Sequence, residues 1–294
     1  MDILFLDNPT LPLNTLLEQN NCRVFKPGKE NPLTIECIYT HMTRFVKDDY
    51  PRLKYVLCPM TGVMHLGDTT RYDLYYLDDK QWLYDNVWST AEHTFSLMIR
   101  LMRGLNREIR NKVIGIVGFG RVGQQLYKLL EGWNVNVLWF DTKEHQYDLI
   151  STSGKMKYLD DIFLESDVIS IHLPENSLTR DMINQKYFDL CTKQPIILNT
   201  ARASVMNYID MLAAFDNGKL AGFGLDVDIN WIKQNQGSAW KMLESLASIY
   251  RGAIITDHVA GKSIDSRIAT DKFVFNKLFK DLGGKLYETD IGLL

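Results

Sequence analysis

The apolar run Val113–Val117 passes without a break into Gly118-Phe119-Gly120-Arg121-Val122-Gly123 and then into a helical stretch at 124–130. Few local patterns constrain a fold as tightly. A strand buried on both faces reads as a continuous apolar run, and three glycines at this spacing let the chain turn sharply into a helix. Gly118 serves the tight turn, Gly120 allows backbone to approach a pyrophosphate, and Gly123 lets helix pack on strand. The helix start at Arg121 and Val122 presents amides and a positive dipole end to phosphate. A second apolar run at 135–140 leads to Asp141. That carboxylate can accept from both adenosine ribose hydroxyls and repels a 2′-phosphate, so the pattern predicts NAD rather than NADP. Lys143 partly offsets that repulsion. The bland alternative is a plain strand–helix turn followed by an acid at a strand end. Strand, glycines, helix and acid together favour the dinucleotide site.

The same pattern continues. Apolar runs at 168–172, Ile196–Asn199, 221–227 and Ala253–Thr256 alternate with helical stretches, which predicts a parallel sheet covered by helices. A helix at 89–105 precedes it, with Ser89 or Thr90 as its cap, Glu92 in its first turn and Met98, Leu101, Met102 and Leu105 on one face. The first third offers shorter strands at 2–7, 22–26, 36–40, 54–58 and 74–77, a helix-like stretch at 11–19 and a helical turn at 48–53. A final helix is expected at 262–280. The fold class is therefore α/β.

A length of 294 residues suits two domains, and 46% hydrophobic residues excludes disorder. A net charge of −3 removes the general electrostatic case for nucleic acid or an anionic membrane. No apolar run approaches the ~20 residues of a membrane span. The opening Met1-Asp2-Ile3-Leu4-Phe5-Leu6-Asp7 carries acids where a signal peptide needs a basic flank, so a cytoplasmic location is expected. Cys22, Cys37, Cys58 and Cys191 show no paired spacing, and neither zinc nor disulfides are expected.

Three further segments follow strand ends: Asn199-Thr200-Ala201-Arg202-Ala203, Gly222-Phe223-Gly224-Leu225-Asp226-Val227 and Thr256-Asp257-His258-Val259-Ala260-Gly261. The carboxyl ends of parallel strands face the ligand crevice, so Arg202, Asp226 and His258 are expected on one edge. Singly, such an Arg is more often a surface ion-pair partner and such a His structural. In this order, with the glycine loop, the chain resembles the D-2-hydroxyacid dehydrogenase family. Ala91-Glu92-His93 is similar to the family's segment opening the helix before the cofactor domain. His172-Leu173-Pro174, then Thr179-Arg180 and Asn184, resembles its mid-domain signature.

The resemblance implies two Rossmann-like domains. One is a doubly wound parallel sheet binding the dinucleotide, at 87–264. The other is a smaller flavodoxin-like substrate domain, at 1–86 and 265–294, with the active site in the cleft. It makes Arg202 and His258 the catalytic pair and places Thr61 and Gly62 in the loop whose amides hold the substrate carboxylate. It assigns Gly118, Gly120, Arg121, Val122, Gly123, Asp141, His172, Leu173, Pro174, Thr200, Ala201 and Asp226 to the cofactor, with Asp226 orienting the cofactor or Arg202. Arg202 pairs bidentately with the substrate carboxylate. An imidazole, with an ordinary pKa near ~6.5, suits proton transfer in either direction.

The chain departs from the family in several places. The family has an acid, bonded to the catalytic histidine, five positions beyond the residue matching Asp226. Trp231 stands there, and an indole donates but cannot accept. Asn230, Asp228 and Asp257 are the alternative partners. Asp257 and Ala203 replace the family's proline and glycine. Only 106–111 link the long helix to the first cofactor strand, where the family has a longer arm, so a homodimer with a smaller or altered interface is expected. Trp82, Leu83, Tyr84 and Trp88 either pack a domain junction or line the substrate pocket. The expected activity is an NAD(H)-dependent oxidoreductase acting on a small-molecule 2-hydroxy or 2-keto acid. The alternative is a catalytically weak or inactive NAD(H)-sensing protein of the same fold. Another Rossmann enzyme with unrelated chemistry is a third reading, against which the motif order argues.

Overall fold

Five short strands and two helices form the first part of the computed structural model, which describes residues 1–10, 13–142 and 154–287. They are β1 (Asp2–Phe5), α1 (Asn14–Gln19), β2 (Arg23–Phe25), β3 (Cys37–Tyr39), β4 (Tyr55–Cys58), β5 (Asp73–Tyr76) and α2 (Lys80–Asn86). All strand pairs are parallel, in the order β2-β1-β3-β4-β5. This is the flavodoxin-type doubly wound order, whose direction reverses between β1 and β3. The expected turn at 48–53 is a single 3-10 turn, Lys47–Asp49. Leu11 and Pro12 of the expected first helix lie outside the described residues, as does Lys143.

The C-terminal helix Ile264–Asp281 completes this unit, which comprises Met1–Val87 and Lys262–Leu294. Its Val274, Phe275, Leu278 and Phe279 pack against Ile3, Phe5, Tyr39, Leu57 and Tyr75. Each such burial is worth about 1.5–3 kcal/mol, so a sheet built early in the chain depends on a helix built late. Trp82 lies against Phe273 of that helix with ring centroids 4.5 Å apart, and Leu83 and Tyr84 are buried.

The second unit, Trp88–Gly261, is contiguous. Its elements are α3 (Ser89–Gly104), β6 (Val113–Val117), α4 (Arg121–Leu130), β7 (Asn136–Phe140), β8 (Lys155–Met156), α5 (Leu159–Glu165), β9 (Val168–Ile171), α6 (Gln185–Phe188), β10 (Ile196–Asn199), α7 (Tyr208–Asp216), β11 (Gly222–Asp226), α8 (Ile229–Asn235), α9 (Gly237–Ile249) and β12 (Ala253–Thr256), after which α10 (Ile264–Asp281) returns to the first unit. The parallel sheet runs β12-β11-β10-β9-β6-β7-β8. Strands β6, β9, β10 and β11 are almost wholly buried, which is why they read as unbroken apolar runs.

Two expectations about α3 need correction. Trp88, not Ser89 or Thr90, occupies the cap position, and it does so with near-helical dihedrals and no side-chain bond. Ser89 already lies inside the helix, so its hydroxyl cannot take the capping role. Leu105 falls just past the last helical residue, and Leu97 joins Met98, Leu101 and Met102 on the buried face. Gly104 is the last helical residue, and a β-carbon there would lie 2.4 Å from the Arg251 carbonyl oxygen, so that close approach requires glycine.

Candidate active site

The loop from β6 to α4 divides the three glycine roles in space. Gly118 has φ +92°, and a β-carbon on it would lie 2.8 Å from the His172 carbonyl oxygen. Gly123 is equally crowded, with the Gly118 carbonyl oxygen 2.4 Å from where its β-carbon would sit. Gly120, at the α4 cap, faces nothing within 4 Å. Crowding at the first and third glycines and open space at the second, against a ten-residue helix N-terminus, fit a pyrophosphate cradle. The loop is braced from within. Asp141 accepts the Phe119 amide at 2.8 Å, and the buried Gln124 side chain donates to the Phe119 carbonyl at 2.9 Å. The Phe119 ring stacks on Trp139 at 4.5 Å.

His172, at the end of β9, meets this loop from the other side. Its Nε2 lies 2.8 Å from the Ser170 hydroxyl. Burial, and then the positive charge of Arg121, push its pKa down to about 3, so the ring is neutral. Burial also lowers the Arg121 guanidinium from its ordinary value, while its Nη1 donates to Gln125 at 3.2 Å. Leu173 is buried, and the Pro174 carbonyl accepts the Thr179 hydroxyl at 2.5 Å. The neutral imidazole has a pH signature. Above an unfolded value near ~6.5 both states are neutral; below it the unfolded chain takes up a proton that the folded one refuses until about pH 3. Stability present above ~6.5 is therefore lost as pH falls. Urea unfolding should show about 2 kcal/mol less stability at pH 4.5 than at 7 from this group. His172→Gln should remove that part of the slope; an unchanged slope would count against it.

At the end of β10, the fully buried Asn199 organises the next loop. Its side chain accepts the Ala201 amide at 3.0 Å and donates to the Arg202 carbonyl at 3.1 Å and the Tyr208 hydroxyl at 3.3 Å. The Thr200 hydroxyl is 2.7 Å from that of Thr94 on α3. Arg202 is thereby fixed at its backbone while its side chain stays exposed, donating to the Ala201 carbonyl at 2.8 Å.

At the end of β11, Asp226 does the corresponding work for the third loop. It is fully buried and accepts the Val259 and Ala260 amides at 2.8 Å and the Thr256 hydroxyl at 2.5 Å. His93 of α3 stands 3.8 Å from the same carboxylate and 3.2 Å from the Thr256 hydroxyl. His258 lies on this loop with φ +49°, a left-handed conformation uncommon for a non-glycine residue. Arg202 and His258 follow β10 and β12, two strand spacings apart, or roughly 10 Å. Asp228 caps α8, accepting the Asn230 and Trp231 amides, and the Trp231 ring packs on the core of this unit. Asn230 and Asp257 are exposed.

In the first unit, Thr61 and Gly62 follow β4 on an exposed loop. At the β1 end, Asp7 accepts the His41, Met42 and Thr43 amides and the Thr40 and Thr43 hydroxyls at 2.7–3.2 Å. Burial opposes its ionisation, but these donors outweigh it and hold its carboxyl below the ordinary value. The Tyr39 hydroxyl is 2.5 Å from buried Asp271 and 2.6 Å from His41. The sequence segments include Asn199, Thr256 and Asp7 without giving them a role, and Thr94 and Tyr208 go unmarked there. A lone polar residue closing an apolar strand was the available signal. Among the described residues no cluster of His, Cys, Asp or Glu could hold a metal ion, and no helix is long and apolar enough to cross a membrane.

Residues 85–260 match the family described as D-isomer specific 2-hydroxyacid dehydrogenase, NAD binding domain. The chain is 25% identical over 320 residues to a glyoxylate reductase of Pyrococcus furiosus, covering 96% of this chain and 92% of that protein. It is 29% identical over 203 residues to an erythronate-4-phosphate dehydrogenase of Baumannia cicadellinicola, covering 67% of this chain and 50% of that protein. It spans about half the length of several curated relatives, from 48% to 54%. Its fold is that of an NAD-complexed D-isomer specific 2-hydroxyacid dehydrogenase from Lactobacillus delbrueckii ssp. bulgaricus, with a TM-score of 0.76 and 16% identity over 97% of this chain and 98% of that one.

Proposed function

The chain belongs to the D-isomer specific 2-hydroxyacid dehydrogenase family, with an NAD-binding domain, and from that premise we propose that it interconverts a D-2-hydroxy acid and its 2-keto acid. One observation supports this most. The glycine cradle, the Arg202 loop and the His258 loop all follow carboxyl ends of strands in one sheet, and side chains at or just beyond those ends, Asp141, Asn199 and Asp226, hold the three in place.

In this reading Gly118, Gly120 and Gly123, with the α4 N-terminus at Arg121 and Val122, hold the pyrophosphate, and Asp141 takes the adenosine ribose. His172, Leu173, Pro174, Thr200 and Ala201 complete the cofactor wall. Bound NADH supplies the hydride that reduces the keto carbon. Arg202 grips the substrate carboxylate with a two-pronged guanidinium and draws charge toward the C2 oxygen. A ring nitrogen of His258 gives that oxygen its proton, and takes it back in the oxidative direction. Thr61 and Gly62 offer amides to the substrate carboxylate. A homodimer through α3, with a reduced or altered interface, and a cytoplasmic location complete the proposal.

The packing of Trp231 where the family has an acid favours one second reading, a protein that binds NAD(H) without turnover. A panel of 2-keto acids with NADH and NADPH separates the two. The enzyme reading expects NADH oxidation with at least one keto acid and weaker use of NADPH. Tight NADH binding with no oxidation across the panel would select the sensor.

A further inference from the structure

His93 belongs to no assignment so far; it only helps to mark the start of α3. Its surroundings give it a task. Asp226 is a carboxylate with no exposure to solvent, and a charge removed from water costs several kcal/mol unless its donors are in place. Those donors are the Val259 and Ala260 amides and the Thr256 hydroxyl. His93, a side chain able to carry positive charge, stands 3.8 Å from it.

Proton counting fixes the order of the chain. Thr256 has a single hydroxyl proton. At 2.5 Å from Asp226 Oδ1, against 3.4 Å from the Leu225 carbonyl, that proton goes to the carboxylate. The hydroxyl oxygen is then an acceptor toward His93 Nε2 at 3.2 Å, so Nε2 carries hydrogen. The series runs from His93 through Thr256 to Asp226, and from Asp226 to the two amides that follow His258. Those amides hold His258 at φ +49°. Trp231 cannot brace the ring by accepting a bond, and Asp228 is engaged in capping α8.

We propose that His93 is a positioning residue for the His258 loop, acting through Thr256 and Asp226 rather than touching substrate or cofactor. The inference rests on His258 as the acid/base, so its test needs one readout that activity does not supply. The variants are His93→Leu, which removes the donor, and His93→Gln, whose amide can donate to Thr256 at a similar reach. In His93→Leu, hydrogen exchange at the Val259 and Ala260 amides should quicken about tenfold, with exchange in β6 and β9 unchanged. Keto-acid reduction should lose about tenfold in kcat, with NADH affinity held within about twofold. His93→Gln should restore both to within about threefold of the starting protein. If His93→Leu does not fold, His93→Asn, too short to reach Thr256, takes its place against His93→Gln.

Unchanged exchange at Val259 and Ala260 would overturn the proposal, and so would a loss that His93→Gln does not restore. If exchange responds but no 2-keto acid is ever reduced, the positioning role stands and the dehydrogenase reading falls.

Discussion

His258→Asn should slow keto-acid reduction by about a thousandfold while leaving NADH affinity within about twofold, because removing a general acid typically costs 10²- to 10⁴-fold. Asparagine is the informative replacement. At φ +49° an alanine would add backbone strain, whereas asparagine tolerates the left-handed region and keeps the loop's shape. What disappears is the titratable ring. Steady-state rates with the best keto acid and NADH fluorescence titration together check the expectation. A variant that keeps a tenth of the activity would remove His258 from proton transfer. A variant that loses NADH binding in parallel would make the residue structural.

Asp226→Ala should be more damaging to the protein than to the chemistry alone. It leaves the Val259 and Ala260 amides and the Thr256 hydroxyl without the buried carboxylate that accepts from them. A fully buried orphaned group costs about 1–3 kcal/mol, and the part-buried Val259 and Thr256 donors recover some of that from water. About 3 kcal/mol of stability should be lost, read as a lower urea midpoint with unchanged slope. Turnover should fall as well, since Asp226 holds both amides after His258. Asp226→Asn retains one acceptor oxygen but turns an amide NH₂ toward donors, and should lie between the two. Near-native stability in Asp226→Ala would show that the loop is held by something other than this carboxylate.

The second unit was far more legible in sequence than the first. Strands buried on both faces, such as Ile196–Asn199, leave unbroken apolar runs, and the glycine spacing at Gly118, Gly120 and Gly123 has a steric meaning at each place. Short strands such as Arg23–Phe25 are partly exposed, so their edges blur and expected limits ran a residue or two long. The α3 cap failed for a local reason: a serine is a capping residue only outside the helix, and Ser89 is already within it. The connections that arrange the site were hidden for a different reason. His93 and Asp226, like Tyr39 and Asp271, are joined by tertiary contact across long stretches of chain, and no spacing rule brings them together.

The division of the first unit into two segments, on either side of Trp88–Gly261, bears on how the protein is made. Synthesis delivers β1 to β5 first, then the whole of Trp88–Gly261, and only afterwards α10. The contiguous unit can close its core as it emerges. The earlier sheet waits, with Ile3, Phe5 and Tyr39 lacking the cover of Val274, Phe275, Leu278 and Phe279. The sheet made before Trp88–Gly261 is thus finished only after it. Until Ile264–Asp281 has emerged, the apolar face of that sheet stays open to chaperones and to aggregation.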